Sequence, residues 1–392
     1  MEENLIKINK WLLPLSWCYG AGVRFRNMLF DMKLLKSRSF EIPVIAVGNI
    51  TVGGTGKTPH VEYLVRLLHD KLRVAVLSRG YKRKSHGFVL ADIDTPSERI
   101  GDEPYQLKQK FPDVIVAVDK KRTHGIDQLT DGNTTAGVDA IVLDDAFQHR
   151  YVKPGLNILL VDYRRLIIYD ELLPAGRLRE PLRGKDRADI VIVTKCPKTL
   201  KPMEYRVLTK AMKLFPYQSL FFTTFDYDPL RPLFTKEAKE SQELAEGENV
   251  LLLSGIASPR QMIDDVAQQH PGVNLHELTF PDHHSFRKKD IVRLNETFAA
   301  LPAPKRIVTT EKDAARLVGA DGLSDEVRSH LYVLPVHVTF MLEQEQLFNK
   351  KIIDYVRKNT RNGILAKGAD DDKPDDGHHF GNWPRTISYR NN

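Results

Sequence analysis

The residues that most directly imply chemistry lie at 44–59, VIAVGNITVGGTGKTP. An apolar strand-like run ends there, a glycine-rich loop follows, and a helix begins. Gly53, Gly54 and Gly56 permit a tight turn in which backbone N–H groups point at phosphate oxygens, with Thr51, Val52 and Thr55 completing the loop. Lys57 supplies a point charge at the β and γ phosphates, and the Thr58 hydroxyl is placed for Mg²⁺. Pro59 suits a first helical turn, where no N–H partner is missed. Thr51 stands where the usual GxxxxGK[ST] pattern has its first glycine. Strand, GGTGKT and helix together point to ATP binding and phosphoryl transfer.

Acids that could serve such a loop occur in two places. DAIVLDDAFQHR (139–150) ends an apolar run on Asp144 and Asp145. Adjacent carboxylates repel unless a cation is near, which suits a Mg²⁺ shell; the alternative is an Asp turn capping the next helix. RIGDEPYQL (99–107) offers Asp102 and Glu103 just before Pro104, which reads equally as a helix start or as catalysis. FPDHHSF (280–286) sets Asp282 beside His283 and His284. A His next to an Asp can form a base or a relay pair, and no third ligand at helical spacing argues for a metal. Basic residues cluster in RGYKRK (79–84), KKR (120–122) and RLREPLRGKDR (177–187). They form either a solvated face or a pocket for a second anion; no nucleic-acid-reading module is recognisable.

Elements able to position these groups follow from the hydrophobic pattern. Apolar Val- and Ile-rich runs at 42–48, 73–78, 113–118, 139–145, 157–162 and 189–194 read as strands buried on both faces, with a helix over 59–72 after the first. Strands alternating with helices predict a doubly wound parallel α/β sheet of the P-loop NTPase kind. A charged stretch at 237–249 leads into a second, smaller α/β domain: strands at 250–255, 274–280, 306–311 and 331–338, and a helix from 258 to 268. The expected organisation is an N-terminal helical region (1–40), a kinase core (41–228), the smaller domain (229–340), a closing helix (341–362) and an acidic tail (363–392) whose DDDKPDD segment cannot support a packed core. Near the start, Ile8, Trp11, Leu12, Leu15 and Tyr19 recur at helical spacing, with Arg24, Arg26 and Lys33 following. That pattern fits an interfacial helix or a terminal helix packed on the core, and Pro14 sits in its first turn or kinks it.

Composition bounds the rest. The 392 residues are 42% hydrophobic and 28% charged, as expected of a globular chain with a sizeable core, and the net charge of +7 favours anionic partners. Two distant cysteines, Cys18 and Cys196, predict a reduced cytosolic protein with no disulfide framework. The apolar stretch from Trp11 to Val23 is shorter than the roughly 20 residues a membrane span needs, and the first residues lack a secretory signal.

Taken in order, GNITVGGTGKTP, SRGYKRK, GDEP, DDAFQHR, LLPAGRLREPL, VTK and FPDHHSF resemble the tetraacyldisaccharide 4′-kinase family of lipid A biosynthesis, from about Trp11 to Val338. The resemblance implies transfer of the ATP γ-phosphate to the 4′-hydroxyl of an acylated glucosamine disaccharide 1-phosphate. It implies a peripheral enzyme on the cytoplasmic face of the bacterial inner membrane, with the N-terminal helix at the lipid surface and no nucleic-acid partner. By the same resemblance Asp102 and His283 form the catalytic pair, with His284 a weaker partner. Asp144 and Asp145 join Thr58 in the Mg²⁺ site, and the basic clusters, through Arg79, Arg177 and Arg179, bind the substrate. Two rivals differ in class. A guanine-nucleotide switch would use Thr194-Lys195-Cys196-Pro197, which lacks the Asn and Asp of its motif, and a membrane-partitioning ATPase would need an early lysine where Val52 stands.

Overall fold

The computed structural model describes residues 6, 8–135, 137–234, 243–257, 259–282 and 284–359. His283, Ser258, much of the charged stretch at 237–249, and the tail from 363 lie outside them. In chain order the strands are β1 (Val44–Gly48), β2 (Val74–Ser78), β3 (Val89–Ala91), β4 (Ile115–Val118), β5 (Ala140–Asp144), β6 (Leu156–Asp162), β7 (Ile190–Thr194), β8 (Ser219–Tyr227), β9 (Arg231–Pro232), β10 (Asn249–Ser254), β11 (Asn274–Thr279), β12 (Lys305–Thr310), β13 (Leu331–Leu334) and β14 (Val336–Phe340). The helices are α1 (Leu13–Asp31), α2 (Lys57–Leu68), α3 (Ser97–Ile100), α4 (Asp102–Lys110), α5 (Arg122–Thr130), α6 (Pro202–Met212), α7 (Arg260–Gln269), α8 (Lys288–Ala299), α9 (Glu311–Leu317), α10 (Asp325–His330) and α11 (Glu345–Asn359).

Among the described residues the strands form two sheets. The larger runs β14-β8-β7-β6-β1-β5-β2-β4-β3, and is parallel from β8 to β4 with an antiparallel strand at each edge. The smaller runs β11-β10-β12-β13-β9, parallel except at β9. Every residue of β1, β2, β5 and β7 is buried, which explains why those runs are apolar without alternation. Ile45 and Val47 of β1 face the core shared with α2 and α11, whereas Val44 and Ala46 face the core of the opposite side. The chain passes from β5 to β6 on either side of β1, so the crevice at the carboxyl ends of β1, β5 and β6 is the topological switch point.

Two boundaries differ from the sequence expectation. The run 331–338 is two strands rather than one, because Pro335 donates no ladder hydrogen bond. β13 belongs to the small sheet and β14 to the large one. Helix α11 then packs on the large sheet, its Phe348, Ile352 and Val356 sharing a core with Val338 and Phe340. The small unit therefore ends at Pro335, not at 340, and the closing segment is part of the large one. Strand β8, absent from the sequence reading, passes into β9 beside the β13–β14 step, and Asp228 N–H donates to the Pro335 carbonyl at 3.0 Å. Two chain segments thus run side by side between the sheets.

Candidate active site

Loop 49–56 leaves β1 at the switch point, and its backbone is held from behind. Three successive carbonyls are taken by side chains: Lys195 Nζ donates to Gly54, Thr194 Oγ1 to Thr55 at 2.9 Å, and His60 Nδ1 bonds Gly56 at 2.7 Å. Lys195 is itself buried and anchored to Asp162 at 2.9 Å. His60 Nε2 lies 3.1 Å from Thr223 Oγ1, and burial lowers its pKa to about 4, so the ring is neutral. With these carbonyls occupied, the N–H groups of the same peptides turn to the open side, the arrangement an anion requires. Gly56, at φ +83°, supplies the left-handed turn into α2, and a side chain there would strike Phe225 at 2.8 Å. The outer edge is braced by the LREP segment: Val52 N–H donates to the Arg177 carbonyl and Arg179 N–H to the Ile50 carbonyl, both at 2.8 Å. Pro59 falls in the first turn of α2, as expected.

Lys57 opens α2 and meets the acids of β5. Its Nζ lies 3.5 Å from Asp145 Oδ1, and Arg179 approaches the other oxygen at 3.7 Å. Burial pushes the Asp145 carboxyl up, but Lys57, Arg179 and Arg122 outweigh it and hold the group below the usual carboxylate range. Asp145 adopts φ +48°, a left-handed conformation that Asp tolerates better than most residues. Asp144 is the opposite case. It is buried, and burial, Glu103 and Asp145 raise its pKa to about 7. Ser78 Oγ donates to its Oδ2 at 3.2 Å, while Oδ1 is buried with no partner. Arg122, fully buried behind the pair, donates to the Asp144 carbonyl at 3.3 Å. Arg79 is near enough to depress the pKa values of Arg122 and His149. The loop, Lys57, Asp144, Asp145 and Arg179 therefore converge, with Thr58 beside them on α2.

A second group gathers at the start of α4. Gly101, at φ +96°, turns the chain so that Asp102 and Glu103 begin the helix against Gly80 and Tyr81. Here the small sheet's unit reaches over: Arg316 of α9 contacts Asp102 at 2.8 Å, and Lys312 lies 3.3 Å from Glu103 and 3.6 Å from Asp282. Ala257, in the loop after β10, comes within van der Waals reach of Gly54. His284 does not join the acids of α4. Its Nε2 bonds the Asp290 side chain in the first turn of α8 at 3.0 Å, and its ring stacks on Phe280 at 4.7 Å within a local aromatic cluster.

Sequence reasoning does not single out His60, Ser78, Lys312 or Arg316 as site residues, and reaches Arg122 only as part of the 120–122 basic cluster. In sequence Lys195 enters through the VTK segment and as part of an imperfect guanine-reading motif, whereas in the structure it serves the loop backbone. Its position at the end of a buried strand, like that of Asp144, was the available signal.

Helix α1 contacts this region by one narrow face. Ser16 Oγ donates to the Leu172 carbonyl and accepts from Ala175 N–H, both at 2.9 Å, and Tyr19 Oη donates to the Arg179 carbonyl at 2.7 Å. A side chain at Gly20 would meet the tip of Leu172 at 2.7 Å, so glycine lets the helix approach without moving that side chain. Pro14 lies in the first turn. Trp11 (94% exposed), Leu15, Trp17, Phe25, Met28 and Met32 face outward. Among the described residues no helix is long and apolar enough to cross a membrane.

The family model described as tetraacyldisaccharide-1-P 4′-kinase matches residues 8–357. A tetraacyldisaccharide 4′-kinase of Phocaeicola vulgatus is 57% identical over 368 residues, covering 93% of this chain and all of that protein. One from Bacteroides fragilis is 52% identical over 375 residues, covering 94% and 99%. The crystal structure of an "apo" form of LpxK from Aquifex aeolicus in complex with ATP superposes with a TM-score of 0.64 at 29% identity, covering 89% of this chain and 99% of that one. A phosphate loop at the switch point of a parallel sheet, basic and acidic partners converging on it, and relatives matched along almost their whole length lead to one assignment: the chain belongs to the tetraacyldisaccharide-1-phosphate 4′-kinase family, whose members phosphorylate a lipid A precursor.

Proposed function

We propose that this chain transfers the γ-phosphate of ATP to the 4′-hydroxyl of a tetraacylated glucosamine disaccharide 1-phosphate, working at the cytoplasmic face of the inner membrane. The observation that carries the reading is the phosphate loop with three carbonyls tied back, beside the Lys57–Asp145 pair. The loop N–H groups and Lys57 would hold the phosphates, and Arg179, with Arg79 and Arg177, would hold the anionic substrate. Asp102 would accept the proton of the attacking hydroxyl, with His283 as its partner. The hydroxyl oxygen bonds to phosphorus as the bond to the ADP oxygen breaks, and ADP departs with that electron pair.

Residues fit for Mg²⁺ are present. Asp144 has a buried oxygen without a partner and a raised proton affinity, both signs of a carboxylate suited to a cation, and Asp145 and Thr58 lie beside it. Among the described residues no group of three or more His, Cys, Asp or Glu forms a metal cage. That suits an ion which arrives with nucleotide, since Mg²⁺ commonly takes one or two carboxylates plus phosphates and water. When bound, it would supply charge to the phosphate oxygens.

An acylated substrate stays in a bilayer, and the outward apolar side chains of α1, with Arg24 and Arg26 nearby, suit reversible contact with anionic lipid. The two sheets suggest two lobes, 41–228 joined by 336–359, and 229–335. Incubation with labelled ATP and the acylated disaccharide 1-phosphate tests the reading. We expect a bisphosphorylated lipid from the wild type and none from a folded Lys57→Ala variant. ATP turnover without lipid product, or full activity of Lys57→Ala, would overturn it.

A further inference from the structure

Arg316 is the point at which the small-sheet unit grips the proposed base. Its Nε and Nη2 both lie 2.8 Å from Asp102 Oδ2. Its Nη1 donates to Asp313 Oδ1 at 2.8 Å and to the Gly255 carbonyl at 3.2 Å. Asp313 is fully buried, and its Oδ2 accepts from Gly255 N–H and Thr310 Oγ1, each at 2.8 Å. The guanidinium side chain, 7% exposed, is thus locked to α9 and to the loop after β10, and presents its remaining N–H groups to α4. A planar, permanently charged fork held in this way orients a carboxylate with little loss of freedom on contact. The same loop carries Ala257, whose Cβ lies 3.4 Å from where a side chain on Gly54 of the phosphate loop would begin. One short segment of the small unit therefore lies close to the nucleotide loop and, through Arg316, holds the acid at the start of α4.

We propose that Arg316 is a positioning residue for phosphoryl transfer, fixing the Asp102 carboxylate from across the two units and so making an oriented, ionised base depend on their docking. The inference rests on Asp102 as proton acceptor. Other charged groups at this corner are Glu103 on α4, Lys312 and Asp313 on α9, and Asp282 in the 280–286 segment, while the ring of His284 is taken up by Asp290. None of them replaces a guanidinium in contact with Asp102 Oδ2. A cation at contact favours the ionised carboxylate, so its removal moves proton release to higher pH.

The test is the pH dependence of kcat for Arg316→Met, Arg316→Lys, Asp102→Asn and wild type, using labelled ATP and the acylated disaccharide 1-phosphate. Arg316→Met should lose roughly 10–100-fold in kcat, the range expected when a general base is misplaced, with little change in the KM for ATP. Its acid limb should move to higher pH. Arg316→Lys keeps a charge but not the fork, so its acid limb should stay near wild type with kcat reduced. If Arg316→Met proves unfolded, Arg316→Lys decides alone: full wild-type kcat would show that the fork does not matter. An acid limb for Arg316→Met that coincides with wild type, whatever the loss of rate, overturns the proposal. Asp102→Asn separates the two readings. An active Asp102→Asn sinks the base itself, whereas an inactive one together with an unshifted Arg316→Met sinks only the role of Arg316.

Discussion

At the residue scale, opposite effects on two neighbouring carboxyls define the acidic corner. Asp145 is held ionised by Lys57, Arg179 and Arg122, while Asp144, buried beside it and near Glu103, has its pKa raised to about 7. Because the folded value lies above the ordinary one, the contribution of Asp144 to stability is complete at low pH and is lost as pH rises through about 7. A cation bound here, as proposed above, would take the place of that proton. Mg·ATP should therefore bind more weakly below pH of about 7, with protons released on binding. Calorimetry in buffers of different ionisation enthalpy measures that release, and Asp144→Asn should abolish the component.

Lys195 acts on the other side of the loop. Its bond to the Gly54 carbonyl is charge-assisted, and such bonds contribute about 1.5–3 kcal/mol. Lys195→Met should raise the KM for ATP by roughly tenfold while leaving the KM for lipid unchanged. Equal changes in both constants would show instead that the substitution disturbs the whole site.

At the element scale, α1 fits the core through Ser16, Gly20, the Tyr19 hydroxyl and, near its end, the buried Phe30, while most of its other bulky side chains stay outside. Ser16 and Gly20 are buried while Trp11, Leu15 and Trp17 are exposed. Burying such side chains in a lipid interface contributes about 1.5–3 kcal/mol each, enough for reversible attachment. Replacing Trp11, Leu15 and Trp17 by Ser should release the protein from anionic vesicles in flotation and raise the KM for lipid more than that for ATP. The melting temperature should hold, because none of the three packs on the core. A lowered melting temperature with unchanged flotation would return α1 to a purely structural role.

At the scale of the whole molecule, the two units meet through charge. Lys110 of α4 is buried between Glu62 of α2, at 2.7 Å, and Glu311 of α9, at 2.8 Å. The phosphate-loop helix, the helix that starts at Asp102 and the small unit thus share one node. Burial raises the Glu62 pKa, and Glu311 adds to this while Lys110 opposes it. Lys110→Met would leave two buried carboxylates facing each other, a loss of about 3–5 kcal/mol when a buried pair is broken. Without Lys110 the Glu62 pKa would rise further, so the penalty should be relieved in acid and grow as pH increases. Thermal melts of the variant in mildly acidic and alkaline buffer should show this; a deficit independent of pH would mean that the node is not electrostatic.

Local sequence was enough wherever one element makes its own case. Strands β1, β2, β5 and β7 are buried on both faces and so had to be apolar along nearly their whole length, as is the buried middle of β6, and the glycines, Lys57 and the helix start form a phosphate loop by their order alone. The acids at the end of β5 were visible for the same reason, since a parallel sheet delivers its strand ends to one crevice. What depends on contacts between distant segments was decided only in three dimensions. Pro335 gives no hint in sequence that β13 and β14 belong to different sheets, because that follows from which neighbours each strand pairs with. Lys195 lies 141 positions from the loop carbonyl it holds, and Arg316 lies 214 positions from Asp102. His284, adjacent to the residue favoured for catalysis, turns instead to Asp290. Hydrophobic periodicity reports burial along one element, whereas a long side chain's partner is set by the packing of elements far apart in the chain.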